Sequence, residues 1–209
     1  MADTLTRLSP LQGFASRFAN LPESASLAEE PFMAMVDLWV DPSGPGGAAA
    51  AEVLGVNALP STPSTPGASE ATGTAVITGA DTAVIWFGPD ECLVTSNDRA
   101  AEELESQLRA AVIEHGGAVV DVSAQRTTLR LRGEHARDVI AAGCSIDLHP
   151  KVFGPGAAVQ TILGQAAVVL IPLSDDGTDY RILVRSSFAR HLAEWLIDGA
   201  EEFGGDWPR

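Results

Sequence analysis

Residues 126–132 alternate strictly, with Thr127, Leu129 and Leu131 on one side and Arg126, Thr128, Arg130 and Arg132 on the other. A period of two marks a strand with one buried and one polar face. Gly133 ends it. From Glu134 the apolar positions change to helical spacing, Ala136, Val139 and Ile140, and Gly143 stands where a left-handed helix C-terminus is expected. Residues 119–122 upstream form a largely β-branched run. The middle of the chain is therefore expected to fold as strand, strand, helix.

The same patterns extend to both sides. Residues 32–40 read as a strand closed by Asp41-Pro42, and residues 75–78, 83–87 and 92–95 as a meander of short strands punctuated by glycine and proline turns. Asn97 or Asp98 is expected to cap a helix carrying Leu104, Leu108, Ala111 and Val112 on one face, with Glu105 and Arg109 as a solvated pair and His115-Gly116-Gly117 as its stop. Strands are expected at 157–163 and 166–173 about Gly164-Gln165, and at 180–184 after the turn Asp175-Asp176-Gly177. A last helix, capped by Ser186 or Ser187, should pack Phe188, Leu192, Trp195 and Leu196 on one face. These elements predict an α+β fold of antiparallel or mixed sheets with a ferredoxin-like split β-α-β pattern.

Residues 1–30 show no sustained period and read as an N-terminal arm, leaving 31–209 as a single domain. Within the arm Leu5, Leu8, Leu11, Phe14 and Phe18 make a short amphipathic pattern broken by Pro10 and Gly13, fit either to pack on the chain's own domain or to dock on a partner. Deleting residues 1–20 is on this reading expected to leave the domain folded and weaken assembly. Residues 42–72, rich in Gly, Pro, Ser and Thr, read as a long exposed loop holding one alanine-rich helix candidate.

Composition narrows the partners. The hydrophobic fraction of 45% is ordinary for a folded domain, and a formal charge of −15 disfavours both nucleic acid and anionic membranes. That charge is uneven: residues 1–105 carry fifteen acidic side chains against Arg7, Arg17 and Arg99, whereas residues 106–173 carry six basic against five acidic. The basic residues gather on the central unit. Cys92 and Cys144 lack the spacing of a metal knuckle or a redox pair, and neither a signal peptide nor a membrane-length apolar run is visible, so a cytoplasmic protein is expected.

Candidate chemistry is sparse. His115, His135, His149 and His191 are scattered, and Asp147 beside His149 falls short of a metal-ligand set. Cys144 and His149 could pair as nucleophile and base, but a cysteine at a helix end next to Ile146 and Leu148 is more often buried structure. Gly154-Pro155-Gly156 is only a fragment of a dinucleotide fingerprint, and Gly44, Gly46 and Gly47 lack the strand, helix and lysine of a phosphate loop. No catalytic, cofactor or metal residue is assigned. The residues left for an interface are Leu8, Leu11, Phe14, Arg126, Arg130, Arg132 and His149; the three arginines read either as a solvated sheet face with acidic neighbours or as forked donors to a partner's carboxylates.

The segments RGEHARDVIAAGCSIDLHPKVF and YRILVRSSFARHLAEWLID, with 85–91 and Leu8-Ser9-Pro10-Leu11 upstream, resemble the gamma subunit of heterotetrameric sarcosine oxidase. More distantly, VVDVS with the glycine and helix that follow resembles the folate-binding fold of the glycine cleavage T-protein. The first resemblance implies an accessory subunit of a complex that converts sarcosine to glycine, passing the one-carbon unit to tetrahydrofolate or releasing formaldehyde. It implies FAD, FMN, NAD, tetrahydrofolate and zinc on the alpha, beta and delta partners, and docking chiefly on alpha. The alternatives are a stand-alone folate-dependent aminomethyltransferase and a generic interaction domain. Where the T-protein family carries a glutamate-bearing folate turn, this chain has 171–177, Ile-Pro-Leu-Ser-Asp-Asp-Gly, so a T-protein-like domain without the folate motif is expected.

Overall fold

Period-two burial decides the layering. A computed structural model of the protein describes residues 6–61, 75–78 and 82–204. In chain order its elements are α1 (Ala15–Phe18), β1 (Ser26–Glu30), β2 (Ala34–Trp39), α2 (Pro45–Leu54), β3 (Ala75–Thr78), β4 (Thr82–Gly88), β5 (Glu91–Ser96), α3 (Ala101–Val112), β6 (Ala118–Asp121), β7 (Arg126–Arg132), α4 (Ala136–Ala141), β8 (Val159–Leu163), β9 (Ala166–Pro172), β10 (Asp179–Arg185) and α5 (Ala189–Glu201). The strands make two five-stranded sheets, β1-β7-β10-β9-β8 and β3-β4-β5-β2-β6, and every pairing is antiparallel.

Alternate residues of each strand serve different cores. In β2, Val36 and Leu38 meet Leu104, Leu108 and Val112 of α3 and Ala50, Ala51 and Leu54 of α2, while Met35 points the other way. Met35 there joins Ile85 and Leu93 of its own sheet against Val169, Ile171 and Leu183 of the other. The far face of that other sheet, with Leu129, Leu131, Leu170, Tyr180 and Ile182, is covered by α1, α4 and α5. The result is four layers, helices outside and two sheets back to back. Because β5 and β6 both run antiparallel to β2 between them, they are parallel to each other and joined by α3, which is the split β-α-β arrangement. β7 and β9 flank β10 in the same way.

Several expectations change on this frame. β6 and β7, consecutive in the chain, lie in different sheets, and the chain crosses between them at Ser123, whose Oγ accepts from Met35 N at 2.9 Å. Asp98 does not cap α3: its carboxylate accepts from the hydroxyls of Ser96 and Thr82, and α3 starts at an uncapped Ala100. No serine side chain caps α5, and Phe188 is exposed rather than packed with Leu192 and Leu196. The alanine-rich helix expected within residues 42–72 is α2, but instead of lying exposed it closes the second core; residues 62–72, with Leu5 of the arm, lie outside the described residues.

Gly143 is not in the left-handed region, so it is required for another reason. A Cβ there would meet Trp195 Cζ2 at 2.4 Å, and one on Gly164 would meet Trp195 Cδ2 at 2.6 Å. The indole of α5 lies over both glycines. Gly164 and Gln165 also have φ of 52° and 70°, the two positive values of the tight turn that joins β8 to β9. Gly164→Ala is expected to destabilise by about 2 kcal/mol or more, from overpacking against the indole. Urea unfolding should show a lower midpoint at an unchanged slope, and an unaltered midpoint would show that Trp195 moves aside freely.

Candidate functional site

The arginine face of β7 turns inward. Leu129 and Leu131 face the helices, so Arg126, Thr128 and Arg130 face the gap between the sheets, as Thr128 Oγ1 confirms by donating to Met33 Sδ at 3.8 Å. Pairing of β7 with β1 and β10 brings carboxylates alongside: Glu30 lies opposite Thr128, and Asp179 opposite Arg132. Arg130 donates to Asp179 from Nε at 2.9 Å and Nη2 at 2.7 Å, and to Glu30 at 3.3 Å. Arg181 of β10, with its side chain 8% exposed, donates to both oxygens of Glu30 at 2.6 and 3.1 Å. Forked pairs of this kind are the strong charge-assisted bonds. The hydrogen bond to Asp179 is the main reason Arg130 holds its proton more tightly than usual.

The other end of the same face is different. Arg126 and Arg185 are direct cross-strand partners, two like charges side by side. Among the described residues neither makes an ion pair with a carboxylate; Arg126 donates to the Gln125 amide and lies 5.3 Å over the Phe87 ring. Burial and then Arg185 lower the Arg126 pKa. Across a cavity of about 230 Å³ stand Asp37 and Glu91 of the other sheet.

The remaining interface candidates separate by burial. Leu11 and Phe14 are 1% and 8% exposed in the first core with Phe18, so these apolar positions of the arm are spent on their own domain. Leu8 stays 63% exposed, and Phe32, a non-glycine residue at φ 64° with Arg7 4.5 Å above its ring, is 45% exposed. Arg130 is consumed by its ion pairs, Arg132 is half exposed beside Asp179 at 3.4 Å, and His149 is exposed. The sequence placed the arginines on one face but did not show Glu30, Asp179 or Arg181 as their companions. β1 is polar and nearly aperiodic, and only strand register brings its Glu30 to them.

The candidate reactive groups lie apart. Cys144 contacts Thr161 Oγ1 at 3.7 Å and packs against the first core, whereas the Nδ1 of His149 accepts from Lys151 N at 3.2 Å in an exposed turn, so the two do not form a nucleophile and base. Burial first, then Asp37 and Glu91, pushes the Cys92 thiol up to about 12, far from a reactive thiolate. Among the described residues no group of three His, Cys, Asp or Glu could hold a metal ion. In the turn of residues 171–177, Asp176 accepts from Thr178 Oγ1 at 2.6 Å and Thr178 N at 3.1 Å. The carboxylate is tied into its own turn.

Two sheets back to back with outer helices define a class, the double split β-α-β domain. Aminomethyltransferase T of the glycine cleavage system from Bartonella henselae has this fold, with a TM-score of 0.53 and 16% identity over 87% of this chain and 48% of that one. Within the class the chain matches the sarcosine oxidase, gamma subunit family over residues 66–202. It is 34% identical over 199 residues to sarcosine oxidase subunit gamma of Corynebacterium sp. (strain P-1), covering 89% of this chain and 96% of the relative. Against the same subunit of strain U-96 the figures are 36% over 180 residues, 86% and 81%. A chain of the heterotetrameric sarcosine oxidase from Corynebacterium sp. U-96, in complex with pyrrole 2-carboxylate, superposes with a TM-score of 0.84 at 33% identity, covering 97% of this chain and 99% of that one. This chain belongs to the sarcosine oxidase gamma subunit family.

Proposed function

We propose that this chain is the accessory gamma subunit of a heterotetrameric sarcosine oxidase that oxidatively demethylates sarcosine to glycine, with transfer of the one-carbon unit to tetrahydrofolate or release of formaldehyde. The single observation carrying this reading is the end-to-end match to a chain of such a complex, 97% of one chain on 99% of the other. The gamma chain contributes packing rather than chemistry: its thiols are unpaired and packed against cores, Glu30 and Asp179 are held by arginines, and FAD, FMN, NAD, tetrahydrofolate and zinc belong to the alpha, beta and delta partners. Two cysteines without a mutual bond support assembly in the cytoplasm. A stand-alone aminomethyltransferase is less favoured, because this chain spans about half of the T-protein neighbour and lacks the folate turn.

Docking on the alpha subunit uses what the fold leaves outside, namely Leu8, the half-exposed Arg132 and His149. Co-expression with the other three subunits is expected to give stoichiometric co-purification, and the isolated chain should show neither sarcosine oxidation nor flavin absorbance. Either signal from the chain alone would sink the accessory reading. Leu8→Asp should leave melting unchanged yet weaken assembly roughly tenfold, the effect of losing a modest interface anchor. Full recovery of that variant with the complex would remove Leu8 from the interface.

A further inference from the structure

The open end of the gap between the sheets is charged on both walls, and the two walls have opposite sign. Arg126 and Arg185 project from β7 and β10 on one side; Asp37 of β2 and Glu91 of β5 project from the other, and these side chains line one cavity of about 230 Å³. Stacked sheets lie roughly 10 Å apart, so side chains reaching inward from both leave space for a small molecule between their tips. A neighbouring cavity of about 330 Å³, sharing Arg126, Arg185 and Gln160, lets it open toward β8.

Two independent features are costly unless something occupies the space. The first is the like-charged cross-strand pair Arg126 and Arg185, which repels and lacks any carboxylate ion pair among the described residues. The contrast lies on the same two strands, where Arg130 and Arg181 each receive forked carboxylate partners. The second is Asp37: its Oδ2 accepts from Trp39 Nε1 at 3.1 Å, but its Oδ1 is buried without a hydrogen-bond partner. A buried acceptor left bare costs about 1–3 kcal/mol, so a donor is wanted at that point. Glu91 beside it has its pKa raised by burial and then by Asp37, and Arg126 across the cleft offsets only part of this.

An anion would relieve the arginines and leave Asp37 bare; a cation would do the reverse. A molecule carrying both charges a few bonds apart satisfies both walls. We propose that this cleft binds a small zwitterionic amino acid, its carboxylate on Arg126 and Arg185 and its ammonium on Asp37 and Glu91. Phe87, under the Arg126 guanidinium, forms an apolar part of the lining suited to a short carbon chain and not to a second charge. The site goes beyond the subunit role proposed above and does not depend on it.

Calorimetric titration of the purified full chain with glycine tests the site, with acetate, methylammonium and inorganic phosphate as single-charge probes. Glycine is expected to bind saturably, and each probe about tenfold or more weaker, since each forfeits the charged hydrogen bonds of one wall. Arg185→Gln, at an exposed position, and the isosteric Asp37→Asn should each weaken glycine by a similar factor, while Arg185→Lys restores part of it; melting by circular dichroism reports that each variant is folded. If Asp37→Asn does not fold, Arg185→Gln carries the test. Absence of saturable glycine binding overturns the proposal. So does phosphate or acetate binding as well as glycine, which would make the cleft an anion site, or an unchanged glycine affinity in Arg185→Gln.

Discussion

Glu30→Ala is expected to lower the stability of the chain by about 3 kcal/mol, which for a domain of this size is a fall in melting temperature of roughly 6–12 °C. Glu30 is the only carboxylate bonded to Arg181 among the described residues, and it also touches Arg130. With it gone, a guanidinium whose side chain is 8% exposed would have no acceptor. Removing one partner of a buried pair costs far more than the pair itself is worth, because the surviving charge stays desolvated. The carboxylate is itself one-fifth exposed, which keeps the loss at the low end of that for buried pairs. The double replacement Glu30→Gln with Arg181→Met should recover most of the loss, since it removes both charges and keeps the volume. Thermal melts of the two variants decide the point. Equal destabilisation in both would mean that the attraction, and not the stranded charge, carries the energy.

What the sequence makes legible here depends on whether an element carries its own pattern. β7, α3 and the β8-β9 hairpin do: strict alternation, the run Leu104, Leu108 and Val112, and Gly164-Gln165 each describe local geometry, and each element stands where it was expected. β1 does not. Its five residues, Ser-Leu-Ala-Glu-Glu, bury a single large side chain, and they form a strand because an edge of β7 is open to pair with. The same limit governs the arginines. Alternation shows that Arg126 and Arg130 share a polar face, but a polar face ordinarily means solvent. Here it points at a second sheet, and whether each guanidinium finds a carboxylate is settled by registers between strands more than 40 residues apart in sequence. Caps failed for a related reason. Asp98 was free to choose between the first turn of α3 and the hydroxyls of Ser96 and Thr82, and only the fold brings Thr82 within reach.

Removal of residues 1–20 is expected to leave a chain that precipitates or unfolds without a cooperative transition, the reverse of what an independent arm would give. Leu11, Phe14 and Phe18 belong to the core beneath α5, alongside Leu27 and Leu131, and are 1%, 8% and 9% exposed. Truncating a buried leucine costs about 2–5 kcal/mol and a buried phenylalanine about 3–5 kcal/mol. Three such losses, even partly relaxed, reach the whole stability of an ordinary domain, about 5–15 kcal/mol. The polar contacts that tie the segment down, the exposed pair of Arg17 with Glu194 at 2.5 Å and the part-buried hydrogen bond from the Ser9 hydroxyl to Glu29 at 2.6 Å, add less than this packing. Phe14→Ala separates packing from chain length: it should cost about 3 kcal/mol in urea unfolding while keeping the backbone of the segment intact. A truncated chain that melts cooperatively within a few degrees of the full one would show that the helices close over the sheet without the segment, and would return residues 1–20 to the role of a docking arm.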